Sequence, residues 1–216
     1  MKIKKSRWIF HLLLLTTLLI AGCSSTSSND TSESSNESTS STESSSSDDT
    51  IKIGVIVAET GPASSLGKPE ADVARLMQKQ LEDQEFNGKK VELIVEDYET
   101  DDTNAIVIMK KMISEHNVTA VVGGTQTSTS IALSGVAEEN QIPLVALGVL
   151  SDDQFNEFTV QAPQSNRTVL QKAIDYLKSN NINKVAWINA RDGFGQTGLP
   201  VFKEMAKENG IEIVAV

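Results

Sequence analysis

Gly123-Gly124-Thr125-Gln126-Thr127-Ser128-Thr129-Ser130 places five hydroxyl side chains within six positions, directly behind paired glycines. Glycines let backbone come close to a ligand, and hydroxyls beside free N–H groups at a helix start can hold an anion. No lysine follows as it does in a nucleotide-binding P-loop, so a small carboxylate suits the segment better than a triphosphate. Ser and Thr are also favoured helix caps. One cap uses one hydroxyl, whereas four run consecutively from Thr127.

Two more loops carry the same kind of signal. Glu59-Thr60-Gly61-Pro62-Ala63-Ser64-Ser65-Leu66-Gly67 contains a Gly-Pro turn and reads equally as a pocket wall or as a tight connection. Ala146-Leu147-Gly148-Val149-Leu150-Ser151 is the least polar of the three, with Gly148 its one backbone-permissive position.

Other chemistry is sparse. The chain has one cysteine, Cys23, and two histidines, His11 and His116, which is too little for a His/Cys metal cluster or a Ser–His nucleophile. The acidic run Glu96, Asp97, Glu99, Asp101, Asp102 lacks the spacing of a calcium loop, and Asp102 reads as a helix cap. Gly193-Phe194-Gly195-Gln196-Thr197-Gly198 satisfies G-x-G-x-x-G. A dinucleotide fingerprint must follow its strand at once and be answered by an acid about twenty residues on. Here Ala190-Arg191-Asp192 intervenes. The residues suggest a binder rather than a catalyst, with no cofactor or metal implied.

These loops need elements to position them. Ile51–Ala58 reads as a buried strand, Glu70–Phe86 as a helix stopped by a turn at Asn87-Gly88, and Val91–Val95 as the next strand. Asn104–His116 follows as a helix, Val118–Val122 as a strand, Thr127–Asn140 as a helix and Ile142–Ala146 as a strand. Strands alternating with helices of this length imply parallel βαβ units, an α/β doubly wound sheet whose ligands sit beyond the carboxyl ends of the strands. All three loops fall at such ends. From about Ser165 a helix, a strand over Lys184–Asn189, a helix through Val201, Phe202 and Met205 and a strand over Ile211–Val216 repeat the pattern, with Gly210 as a helix stop.

The N-terminus has a separate logic. Lys2, Lys4, Lys5 and Arg7 precede an apolar run from Trp8 to Ile20, then Ala21-Gly22-Cys23, the layout of an export signal. The run falls short of the roughly twenty residues a membrane-spanning helix needs. Ser24 to Thr50 contains only Ser, Thr, Asn, Asp and Glu, which cannot bury a core and reads as a tether with a reach of ~5–6 Å × √n. Of 19 Lys+Arg and 29 Asp+Glu, four positives lie in the signal and six negatives in the tether, leaving 15 against 23, or −8, on residues 51–216. An acidic domain without a basic stripe argues against nucleic acid as a partner. With no cysteine after Cys23, the domain rests on its core rather than on disulfides.

Two resemblances follow from these residues. Ile20-Ala21-Gly22-Cys23 resembles a bacterial lipobox, which implies diacylglycerol on Cys23, cleavage before it, and a membrane-anchored extracytoplasmic protein. The order Gly61-Pro62-Ala63-Ser64-Ser65-Leu66-Gly67, Glu96-Asp97-Tyr98-Glu99-Thr100-Asp101, Val121-Val122-Gly123-Gly124 and Ile142-Pro143-Leu144 resembles the branched-chain-amino-acid type of ABC-transporter substrate-binding proteins, the leucine-binding-protein family. It implies a periplasmic-binding-protein-like type I fold in which two α/β lobes close on an amino acid or related small carboxylate for delivery to ABC permease subunits. The first lobe would cover 51–162 and the start of the second 163–216, after a signal over 1–22 and a tether over 23–50.

By that resemblance the carboxylate hydroxyl falls on Thr127 with Ser128 beside it, within the loop that also holds Thr125 and Gln126. A backbone contact falls on or beside Gly148, a first-loop wall on Leu66 and a second-lobe aromatic on Phe194. Where many members have Ser or Thr two residues past Gly148, this sequence has Leu150, which cannot donate a hydrogen bond. The acid that pairs with a ligand ammonium would lie beyond Val216. The chain is thus expected to be a truncated product, a fragment, or a half needing a partner, binding ligand weakly or not at all alone. A ligand-binding sensor of the same fold is the alternative.

Overall fold

In the computed structural model the described residues are 50–216; the expected signal, the lipidation site Cys23 and all of the tether but Thr50 lie outside them. Strands β1 (Thr50–Val57), β3 (Lys89–Asp97), β4 (Ala120–Gly123), β5 (Leu144–Ala146) and β6 (Thr159–Gln161) are parallel neighbours. The two-residue β2 (Glu85–Phe86) pairs antiparallel with β3, giving the order β2-β3-β1-β4-β5-β6. Crossovers run through α1 (Ser64–Leu81), α2 (Asp102–Ser114) and α3 (Thr127–Asn140). A second sheet pairs β7 (Lys184–Ala186) with β8 (Glu212–Ala215), joined by α5 (Gly193–Glu208) and preceded by α4 (Asn166–Ser179). Both sheets lie in one compact unit.

Alternation along β1 decides how the layers form, because successive side chains point to opposite faces of the sheet. Ile56 packs on one face with Met109 and Met112 of α2, Leu133 of α3, and Val121 and Leu144. Val55 and Val57 face the other way, onto Ala71 and Ala74 of α1. Asp101 anchors α2 by accepting from the Thr103 and Asn104 N–H groups, and Ser165 does the same for α4 through Thr168. The second sheet has its own core of Ile174, Phe202, Met205 and Ile211, where Trp187 stacks on Phe202 at 4.6 Å.

Several boundaries differ from the sequence reading. Helix α1 begins at Ser64, six residues before Glu70, and runs through Pro69. The segment Ser64–Gly67 is its first turn rather than loop, and Pro69, just past that turn, cannot donate the hydrogen bond that would otherwise reach Ser65 O. The helix ends at Leu81 rather than Phe86, because Asn87 and Gly88 (φ 54° and 77°) turn the chain into the β2–β3 hairpin. Asp101, not Asp102, is the α2 cap. Asp102 instead accepts a hydrogen bond from Thr129.

Candidate functional site

Helix α3 starts at Thr127, as its sequence suggests, but none of its hydroxyls caps it. Gln126 occupies the cap position without a side-chain bond, and Ser130 N–H is the first to reach back, to Gln126 O. The N–H groups of Thr127, Ser128 and Thr129 therefore have no acceptor among the described residues. Such a helix start carries partial positive charge aimed outward.

The five hydroxyls divide sharply. Thr125 accepts from Ala58 N–H at 3.0 Å and donates to Glu70 at 2.6 Å. Thr129 donates to Asp102 and reaches Tyr98. Ser130 donates to Gly124 O and accepts from Gly148 N–H. Thr127 and Ser128 bond to nothing among the described residues. No fully enclosed side-chain polar atom there lacks a partner. The two idle hydroxyls are therefore reachable from outside, and three hydroxyls build the frame that presents them.

They open into a cavity of about 350 Å³ at the carboxyl ends of β1, β4 and β5. Ligand pockets start at about that size. One wall is Thr125 to Ser128; a second is Leu147, Gly148 and Val149; Leu66 on the first turn of α1 and Phe194 on the first turn of α5 bring apolar surface. Leu66 and Phe194 are 59% and 58% exposed, the state expected of apolar side chains that await a partner.

Two close approaches hold the walls together. A Cβ on Gly148 would stand 2.7 Å from Thr127 Cα, so only glycine lets the β5 loop lie against the α3 start. A Cβ on Gly193 would meet Ser128 N at 3.0 Å, so the starts of α3 and α5 nearly touch. The β1–α1 loop is pinned by Asp97, which accepts from the N–H groups of Glu59, Thr60 and Glu99 and from the Thr60 hydroxyl. Desolvation pushes the Asp97 carboxyl up, but those donors outweigh it and hold it below its ordinary value.

Seven of the eight residues singled out in the sequence thus line one cavity: Leu66, Thr125, Gln126, Thr127, Ser128, Gly148 and Phe194. Leu150 does not: it is 3% exposed, its side chain is in the interior, and its N–H donates to Gln161. Gly148 N–H is likewise engaged by Ser130, which leaves its carbonyl as the group able to meet a ligand. Two residues escaped the sequence reading. Asp192 lines the cavity while capping α5, its Oδ1 accepting from Gly195 N–H at 2.8 Å. Its position before a Gly-x-Gly helix start was the available signal. That carboxylate also occupies the helix start a dinucleotide pyrophosphate would require.

Glu70 is the other, 55 residues from Thr125 in the chain and bonded to it. Burial pushes its carboxyl above the ordinary value, against the opposing pull of the Thr125 hydroxyl. Glu70 stands in the wall of a second hollow, a groove of about 450 Å³ between α1 and the sheet, lined by Val55, Val73, Met77, Leu93 and Val122 among others. No described helix is long and apolar enough to cross a membrane.

The family described as periplasmic binding protein matches residues 50–216. The chain is similar to an extracellular ligand-binding receptor from Rhodopseudomonas palustris HaA2, with 29% identity and a TM-score of 0.69 over 77% of this chain and 45% of that one. It is also similar to a solute binding protein of an ABC transporter from Rhodopseudomonas palustris BisB5, solved in complex with 3,4-dihydroxybenzoic acid (26% identity, TM-score 0.68, 77% and 46% covered). A leucine binding protein from Thermotoga maritima shares the fold at 20% identity (TM-score 0.67, 77% and 48% covered). The chain spans less than half the length of these structures. No curated protein sequence matches it.

Proposed function

The chain belongs to the periplasmic binding protein family, and from that premise we propose that it captures a small carboxylate, an amino acid or a related acid, for an ABC importer. Residues 51–162 form the first lobe and 163–216 the start of the second, and the ligand is held between them. Thioether-linked diacylglycerol on Cys23 holds the protein at the extracytoplasmic face of the membrane, on the acidic tether, within reach of the permease.

One observation carries the ligand class: the idle Thr127 and Ser128 hydroxyls and three free N–H groups at the α3 start converge on a cavity walled by Leu66 and Phe194. Those donors suit a carboxylate, and the apolar walls suit the rest of a small molecule. A relative that holds a dihydroxybenzoic acid supports an acid as ligand. In the family mechanism such lobes close by hinge motion.

Titration calorimetry of the purified chain with a panel of aliphatic and aromatic amino acids and their deaminated acids tests the reading. Saturable binding of at least one acid, weakened about tenfold or more by Thr127→Val, is expected. Heat from uncharged sugars but from no acid of the panel sinks it. For the anchor, Cys23→Ala should release the protein from membranes; a variant still fixed there would refute lipidation.

A further inference from the structure

One long border of the first sheet is open. Strand β3 runs from Lys89 to Asp97, and β2 pairs only with Lys89 and Lys90. Alternate residues of a strand turn their N–H and C=O groups to opposite borders. Tyr98 N–H, just past β3, reaches Val57 O on β1, whereas Leu93 N–H points the other way and donates to the Gln78 side chain of α1. Val91, Val95 and Asp97 share the parity of Leu93, so their backbone groups face the open border as well.

The Gln78 contact shows what this border takes. A carboxamide is chemically a peptide group, and its oxygen accepts from Leu93 N–H as the carbonyl of a neighbouring strand would. It meets one residue of the row, and no strand lies beside Val91 to Asp97 among the described residues. On the sheet face opposite to the Leu93 side chain, Glu92 and Glu96 are exposed, and neither forms an ion pair among the described residues. The open row is therefore flanked by two unneutralised carboxylates.

Those charges decide against a second copy of the chain as the occupant. Antiparallel pairing centred on Leu93 would set Lys90 opposite Glu96, but Glu85 of β2 already stands opposite Lys90. The longest register left is centred on Ile94 and sets Glu92 opposite Glu96 at two places. Like charges directly opposed destabilise a ladder.

We propose that the outer border of β3 is a docking edge for an extended segment of another protein, running antiparallel in line with β2. The segment carries lysine or arginine opposite Glu92 and Glu96 and apolar residues between them. Main-chain bonds to β3 supply the affinity, and the two cations supply the choice of partner. The edge is independent of the strand-end cavity and of what that cavity holds.

Fluorescence anisotropy of the purified chain with a labelled, end-capped heptapeptide, Thr-Lys-Val-Val-Val-Lys-Thr, is the test. One counterpart replaces both lysines by glutamate; another carries N-methyl groups on the first and third valines, whose N–H groups would face β3. The lysine peptide should bind saturably, and each counterpart about tenfold more weakly or worse. Glu92→Gln with Glu96→Gln should weaken the lysine peptide about threefold or more, the scale of two exposed ion pairs. Gln78→Ala, which frees Leu93 N–H, should bind it as well or tighter. No saturable binding, or affinity unchanged by the two glutamine substitutions, overturns the docking edge, as does weaker binding in Gln78→Ala. Equal binding of the methylated peptide means attraction by the acidic surface without a ladder and overturns it too. A dimer of the chain that the lysine peptide dissociates in sedimentation would give the edge to a second copy and overturn the partner proposed.

Discussion

The cavity at the strand ends and the groove beside α1 lie on the two sides of a single hydrogen bond, from Thr125 in the one to Glu70 in the other. The groove is the larger, at about 450 against 350 Å³, and apart from Glu70 its wall is apolar. The smaller hollow has what the larger lacks: hydroxyls and N–H groups with no partner, a carboxylate with one open oxygen, and aromatic surface facing them. Empty volume beside a sheet records imperfect cover of apolar residues. Unpartnered polar groups held in place by partnered ones record a site, because donors fixed in direction and open to water are ready to meet a ligand.

The most severe way to break the contrast is to fill the smaller hollow at its narrowest contact. Gly148→Val pushes a branched Cβ against Thr127 Cα and should cost a few kcal/mol in chemical denaturation. It should also abolish carboxylate binding by calorimetry. Next is Thr127→Val, which conserves volume and removes the idle hydroxyl. It should lower affinity about tenfold or more with the melting temperature unchanged, since that hydroxyl holds nothing in the frame. A drop in melting temperature equal to that of a core mutation would show that Thr127 belongs to the frame after all.

The hydrogen bond between the hollows gives a smaller, pH-dependent effect. Glu70→Leu leaves the Thr125 hydroxyl without its acceptor and should cost on the order of 1 kcal/mol at acid pH, where the native carboxyl is protonated. A carboxyl raised on folding stabilises the fold fully below its unfolded value and loses that contribution as pH rises through the folded value. Melting temperature against pH should therefore slope down through the range just above pH 4 in the wild type and flatten there in Glu70→Gln, which keeps an acceptor for Thr125. Smallest of all, Val73→Ser with Met77→Ser in the groove should change ligand affinity less than about twofold, both side chains being half-exposed already. A larger loss would make the groove part of the site.

The strength of each local signal explains how much was legible beforehand. Helix α3 was readable to the residue, because a glycine pair, a run of hydroxyls and apolar Ile131, Leu133 and Val136 agree on one start. The cavity followed, since three loops at adjacent parallel strand ends must converge. Helix α1 was misread because Gly61-Pro62 and Pro69 are turn signals locally, whereas the packing of Ala71 and Ala74 on Val55 and Val57 carries the helix through. Strand β6 is three residues with one outward valine, too short to show alternation; its ladder to β5 makes it a strand. The Glu70–Thr125 bond had no sequence trace at all. Contacts between residues 55 positions apart exist only once the sheet has brought a helix and a loop together.

The hairpin at Asn87-Gly88 has one more consequence. A parallel sheet ends in rows of open N–H and C=O groups on which another chain can add a strand. Here β2, a strand of only two residues turned antiparallel, covers just Lys89 and Lys90 of the long β3, with exposed Glu85, Lys89 and Lys90 about the turn. At the opposite end β6 offers three residues. A seventh strand would find a short ladder at the β6 border, whereas the outer edge of β3 from Val91 to Asp97 has no strand beside it among the described residues. That stretch of β3, and not β6, is therefore the border on which a further chain could add.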